Sequence, residues 1–162
     1  MRTILVCLIL LFLIPVTEVT DGTIETGDTT NSVVEVITPT EPEPYFHLTD
    51  EERYIVECVV MGEAQGEPYE GQVLVAQCIL NACLRDGIQP SQVRKNYKYA
   101  GWKENPSDSV KQAVSAVFDD GFKVTAEEVL YFYAPKYCTS SWHESQTFVT
   151  EVGNHRFFKL NS

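Results

Sequence analysis

Three carboxylates fall within eight residues in the run Met61-Gly62-Glu63-Ala64-Gln65-Gly66-Glu67-Pro68-Tyr69-Glu70-Gly71-Gln72. Glu63 closes an apolar stretch with helical spacing and faces a glycine loop. Carbonyl dipoles at a helix C-terminus disfavour a carboxylate, and nearby aromatics such as Tyr131 and Tyr133 would desolvate it in the same direction. An acid that keeps its proton near neutral pH is what protonation of a glycosidic oxygen needs. The competing reading makes Glu63 a loop cap that accepts backbone amides around Gly66. Glu67, in the break between two helices, reads as a loop brace accepting amides or as a base placed for water. Glu70, on an exposed first turn, reads as a surface charge complementing the helix dipole.

Other side chains carry paired readings. Tyr131 and Tyr133 share one face of a period-two strand and either flank a sugar or pack in the core. Trp142 stacks on a sugar ring or covers the core, and His155 orients a cleft residue or is structural. Gln72 and Asn81 are amides on an apolar helix, each a sugar contact or a buried anchor, with the anchor favoured for Asn81. Beyond Cys7, the chain has Cys58, Cys78, Cys83 and Cys138. An even number allows two disulfides, and Cys58–Cys78 and Cys83–Cys138 are the pairs to test first. Buried free thiols fit equally well. A Cys138/His155 nucleophile pair lacks any local activating context. Three His and five Cys are too scattered for zinc-binding spacing, so neither metal nor cofactor is expected.

The elements that must position these groups are legible in outline. Thr49 or Asp50 caps a helix that runs to about Ala64, and Pro68 restarts a second that Gly87 closes after Arg85. Pro90-Ser91 opens a short helix, followed by an aromatic loop from Lys95 to Lys103. Ser107 or Asp108 caps a further helix ending at Asp119-Asp120-Gly121. The run Val129–Ala134 reads as a strand, and 148–152 and 155–158 as two more around a Gly153-Asn154 turn. Helices first and a small antiparallel sheet afterwards predict an α+β domain.

At the scale of the chain, 162 residues make one domain, and the net charge of −11 argues against nucleic acid as a partner. Residues 1–16 join Arg2 to a thirteen-residue apolar run, too short to span a bilayer as an ordinary helix. They read as a secretory signal, with an uncleaved N-terminal anchor as the alternative. Residues 17–46 hold seven acids, no base and a Pro-rich end, the composition of an extended, disordered stalk. Within them, the alternating patch at 33–37 has some strand character. Residues 47–162 carry sixteen acids and eleven bases and form the folded part, expected to be monomeric. A secreted or envelope-associated location follows from the leader.

The ordered series Glu63-Ala64, Gly66-Glu67-Pro68-Tyr69-Glu70-Gly71-Gln72-Val73, Ala76, Ile79, Asn81, Pro90-Ser91, Val93, Leu130-Tyr131-Phe132-Tyr133-Ala134-Pro135, Trp142 and Gly153-Asn154-His155 with Phe157-Phe158 resembles the SleB-type cell-wall hydrolases, the spore cortex-lytic enzyme family. The likeness covers nearly all of 47–159. It implies a small lysozyme-like domain that cuts peptidoglycan glycan strands as a lytic transglycosylase with one essential glutamate, which falls on Glu63. Glu67, Gln72, Tyr131, Tyr133, Trp142 and His155 are then the expected substrate contacts. Such chemistry needs one carboxylate, because the muramic acid's own 6-hydroxyl attacks the anomeric carbon and leaves a 1,6-anhydro sugar. The rivals are a hydrolytic muramidase of the same fold and a non-catalytic wall-binding module. Ala82, Tyr99-Ala100 and Ala134 depart from the family pattern. These changes leave the catalytic class in place and the spore cortex as substrate open.

Overall fold

The computed structural model describes residues 44–161. The expected leader, residues 17–43 of the expected stalk and the patch at 33–37 lie outside the described residues. Helix α1 (Asp50–Ala64) begins with a reciprocal cap, in which the Thr49 hydroxyl accepts the Glu52 N–H and the Glu52 carboxylate accepts the Thr49 N–H. Three acids in its first turn complement the dipole. Helix α2 (Tyr69–Asp86) starts directly after Pro68 and stops at Gly87, whose φ of +61° closes the last turn in the left-handed region. A short α3 (Pro90–Asn96) and an amphipathic α4 (Asp108–Phe118), capped by Ser107, complete the helical layer.

Every residue of α2 from Gly71 to Cys83 is buried, as suits a central helix enclosed by α1, α3 and α4. Two amides on this helix do more than fill space. Gln77 donates to the Thr125 carbonyl and accepts the Val124 N–H, while Asn81 donates to the Val129 carbonyl at 2.9 Å. They fasten the 124–130 segment along α2, and the anchor reading of Asn81 is what the structure contains.

The sheet has the order β1-β3-β2, all antiparallel, from β1 (Tyr131–Tyr133), β2 (Thr147–Val152) and β3 (His155–Lys159). Val152 pairs with His155 across the two-residue turn Gly153-Asn154, and a bulge interrupts the ladder between Phe148 and Thr150. β1 is shorter than the expected 129–134 strand. The Val129 carbonyl is taken by Asn81 and the Leu130 carbonyl by the Tyr99 hydroxyl, so neither is free for a strand ladder. A four-residue helix α5 (Ser141–Glu144), which periodicity does not reveal, precedes β2. This is the expected α+β architecture, helices followed by a small antiparallel sheet.

Tyr45 and Phe46 donate their backbone N–H groups to the carbonyls of Asp119 and Phe118, and the Phe46 ring packs edge-on against Phe118. The chain therefore joins the fold slightly ahead of residue 47. The four cysteines in the described residues are all free, so neither Cys58–Cys78 nor Cys83–Cys138 is bridged. Cys58, Cys78 and Cys83 are buried and pack as small hydrophobes, whereas Cys138 is exposed. Burial pushes the Cys83 thiol up to about 12 and Cys78 higher still, which keeps both inert. Among the described residues no helix is long and apolar enough to cross a membrane.

Candidate active site

Glu63 lies on the last turn of α1, pressed against the loop that follows α3. The contact is backbone on backbone. A Cβ on Gly62 would sit 2.2 Å from the Trp102 nitrogen, and one on Gly101 would sit 2.6 Å from the Glu63 nitrogen, so both positions need glycine. The approach delivers the Gly101 N–H to Glu63 Oε1 at 2.5 Å. Around it, the Lys103 N–H donates to the Cys58 carbonyl at 3.0 Å and its ammonium to Gln65. Arg94 donates to the Ala100 carbonyl and lies over the Trp102 ring. The amide that Glu63 accepts thus comes from Gly101, not from the loop around Gly66. The Gly101 N–H engages Oε1, and among the described residues no hydrogen bond reaches Oε2.

Glu67 is engaged differently. The Asn154 backbone N–H donates to Oε2 at 2.7 Å and its side-chain amide to Oε1 at 3.0 Å. A Cβ on Gly153, which has φ +61°, would sit 1.9 Å from Glu67 Oε2, so glycine is needed there on two counts. This clamp ties the α1–α2 loop to the β2–β3 turn. The Glu67 side chain is only 6% exposed. Gln72 braces the loop from behind, donating to the Glu67 carbonyl at 3.1 Å and accepting the Ser109 hydroxyl at 2.8 Å.

Between the 97–101 loop, the α1–α2 loop and the sheet runs a cleft of about 880 Å³. Of the expected site residues, Glu63, Glu67, Tyr131, Tyr133, Trp142 and His155 line it, whereas Gln72 does not. Tyr131 and Tyr133 turn one half-buried face of β1 toward it while Phe132 is buried. The Tyr131 ring meets Trp142 edge-on at 4.8 Å, and Tyr133 lies 5.1 Å from His143. Trp142 remains 48% exposed, an apolar ring open to a ligand.

His155 is 7% exposed and stands perpendicular to Phe132. Burial holds its imidazole below the ordinary histidine range, against the opposing pull of Glu67 and Glu63, so it is neutral at pH 7. Its Nδ1 is 3.6 Å from Glu67 Oε1 and is buried without a hydrogen bond. His143 is likewise lowered by burial, against Glu144. Tyr99 is buried, its hydroxyl donating to the Leu130 carbonyl at 2.8 Å, and burial raises it well above an ordinary phenol.

The arrangement presents one cleft-lining carboxylate, Glu63, that accepts a single backbone N–H, beside an aromatic wall. A second carboxylate, Glu67, accepts one donor of Asn154 on each oxygen. Sequence reasoning missed Gly101 and Asn154 as the donors that fix the two acids. The only signals were a glycine in an aromatic loop and an asparagine in a turn, which name no partner tens of residues away.

The cell wall hydrolase family model matches residues 66–158, beginning three residues after Glu63. A spore cortex-lytic enzyme of Oceanobacillus iheyensis is 36% identical over 110 residues, which are 62% of this chain and 38% of that protein. The chain thus corresponds to about two fifths of that relative's length. The crystal structure of the catalytic domain of the Bacillus cereus SleB protein is similar with a TM-score of 0.59 at 27% identity, covering 70% of this chain and 93% of that one. The catalytic domain of the germination-specific lytic transglycosylase SleB from Bacillus anthracis gives 0.54 at 27% identity, covering 69% and 97%. A lysozyme-like α+β fold, an acid at the end of the first helix and a family match across more than half of the chain together make this protein a member of the cell wall hydrolase family.

Proposed function

We propose that the chain is a peptidoglycan lytic transglycosylase acting outside the cytoplasm, with Glu63 as its single acid and base. Glu63 Oε2 gives its proton to the glycosidic oxygen joining N-acetylmuramic acid to N-acetylglucosamine as the C1–O bond breaks. The resulting carboxylate then takes the proton of the muramic 6-hydroxyl as that oxygen bonds to C1, which closes a 1,6-anhydro ring and adds no water. Tyr131, Tyr133 and Trp142 flank the sugars, and His155 and Glu67 hold the cleft's shape around them.

The observation that carries this reading is the contrast between the two acids. Glu63 accepts one backbone N–H, whereas both oxygens of Glu67 are taken by Asn154. A two-carboxylate hydrolase needs its second acid free to meet water or the anomeric carbon. The name of the Bacillus anthracis relative, a germination-specific lytic transglycosylase, supports the same chemistry, and that of the Oceanobacillus relative supports spore cortex as the setting.

The test is mass spectrometry of spore cortex and vegetative sacculi digested side by side. Anhydromuramic ends are expected, and reducing muramic ends would replace this mechanism with a hydrolytic one. Glu63→Gln should lower turnover by about 10²- to 10⁴-fold with the circular dichroism spectrum unchanged. Undiminished turnover in that variant removes Glu63 from its role. A wild type that binds wall and cuts nothing is a binding module.

A further inference from the structure

Lys98 occupies an unusual place in the cleft. Its φ of +58° is in the left-handed region, which side chains with a Cβ enter at a cost and which concentrates at functional sites. Both neighbours are tied down, Tyr97 by its hydroxyl on Asp86 at 2.8 Å and Tyr99 by its hydroxyl on the Leu130 carbonyl. The turn between them is held from two sides, and Lys98 lines the cleft.

It is also the one Lys or Arg among the cleft-lining residues, where the acidic side chains are Glu63 and Glu67. His143 and His155, the remaining candidates for positive charge, are kept neutral at pH 7 by burial. Of the neighbouring bases, Arg94 lies over Trp102, Lys103 bonds Gln65 and Arg156 pairs with Glu144, while Lys95 and Lys136 do not line the cleft. Among the described residues, no carboxylate lies within ion-pair distance of Lys98. A chain with a net charge of −11 repels an anionic polymer, so a cation at the point of contact has a local task.

We propose that Lys98 is a specificity residue that pairs with a carboxylate on the muramic side arm of the glycan, the lactyl group or its attached peptide. This rests on the peptidoglycan reading above. Carboxylates of that arm are the anionic groups of the polymer. Lys98 then favours strands that carry them over strands in which they are blocked, without touching the bond that is cut.

The experiment compares soluble glycan–peptide strands with the same strands amidated by carbodiimide and ammonia, measuring both kcat/KM and direct binding at about 0.15 M salt, where distant charges are largely screened. Lys98→Met should lower the ratio of free-acid to amidated strands by about two- to fivefold, the range of a solvent-exposed ion pair. Its rate on amidated strands should match the wild type. Lys98→Arg should keep the ratio, and so should Lys111→Met, which removes the same charge from α4 outside the cleft. An unchanged ratio in Lys98→Met, or an equal loss on both strands, overturns the proposal. If no strand is cut, the enzymatic reading fails, and the binding measurements decide the question for Lys98 by the same ratio.

Discussion

A methyl group at residue 101 would lie 2.8 Å from the carboxyl carbon of Glu63 as well as against its backbone nitrogen. Gly101→Ala therefore has to lift the loop from α1, and the N–H now on Oε1 moves away with it. A displacement of this size at the proposed acid costs about 10²-fold in rate, so turnover should fall by that order while the helical signal is retained. Gly66→Ala is the matched control for backbone crowding, because nothing lies within 4 Å of a Cβ there, and although the residue lines the cleft its effect on turnover should be far smaller. Equal effects of the two substitutions would refute this account of Gly101. The place of Glu63 at the end of α1 was legible in the sequence, because a glutamate ending an apolar helix before a glycine loop is a local pattern. Its donor was not, because residues 63 and 101 meet through folding alone.

Among the elements, the α1–α2 loop and the β2–β3 turn are joined by the Glu67 carboxylate and Asn154. Glu67→Ala leaves two donors without their acceptor and should cost about 1–3 kcal/mol in denaturant unfolding. Because the turn also carries His155 into the cleft, KM should rise as well. Wild-type stability in that variant would mean that water replaces the clamp fully. What could be read of the elements in advance follows the same divide between local and distant causes. The caps at Thr49 and Ser107 and the left-handed Gly87 act within one turn, and the helix ends were placed from them. The start of β1 depends on Asn81 and Tyr99, which reach their carbonyls from other elements. The sheet therefore came out shorter at that edge than its apolar run predicts, and the disulfides that cysteine number allowed gave way to three thiols packed in the core.

For the whole molecule, two lowered histidines and the lowered Asp119 weaken the fold in acid, opposed by Glu57, whose carboxyl burial raises. His155 and His143 lie below the ordinary value of 6.5 in the folded state, so the unfolded chain binds protons first as the pH drops. Stability should be full above about pH 6.5 and decline from there toward the folded values, by up to about 1.4 kcal/mol per pH unit for each group. Burial pushes Asp119 upward, but the hydrogen bonds from Arg53 and Ser115 outweigh it and hold the carboxyl below the ordinary 3.8. Its contribution stays in force above that value and is lost only as the pH falls through the lowered one. Urea midpoints between pH 7.5 and 5 should therefore fall, and His155→Gln should flatten part of that slope. A flat profile in the wild type would contradict the buried neutral histidines. The meeting of Gly62 with Gly101 has a mechanical consequence for anything threaded through the groove. Where main chain abuts main chain there is no rotamer to step aside, so the cleft cannot widen at that end by side-chain motion alone.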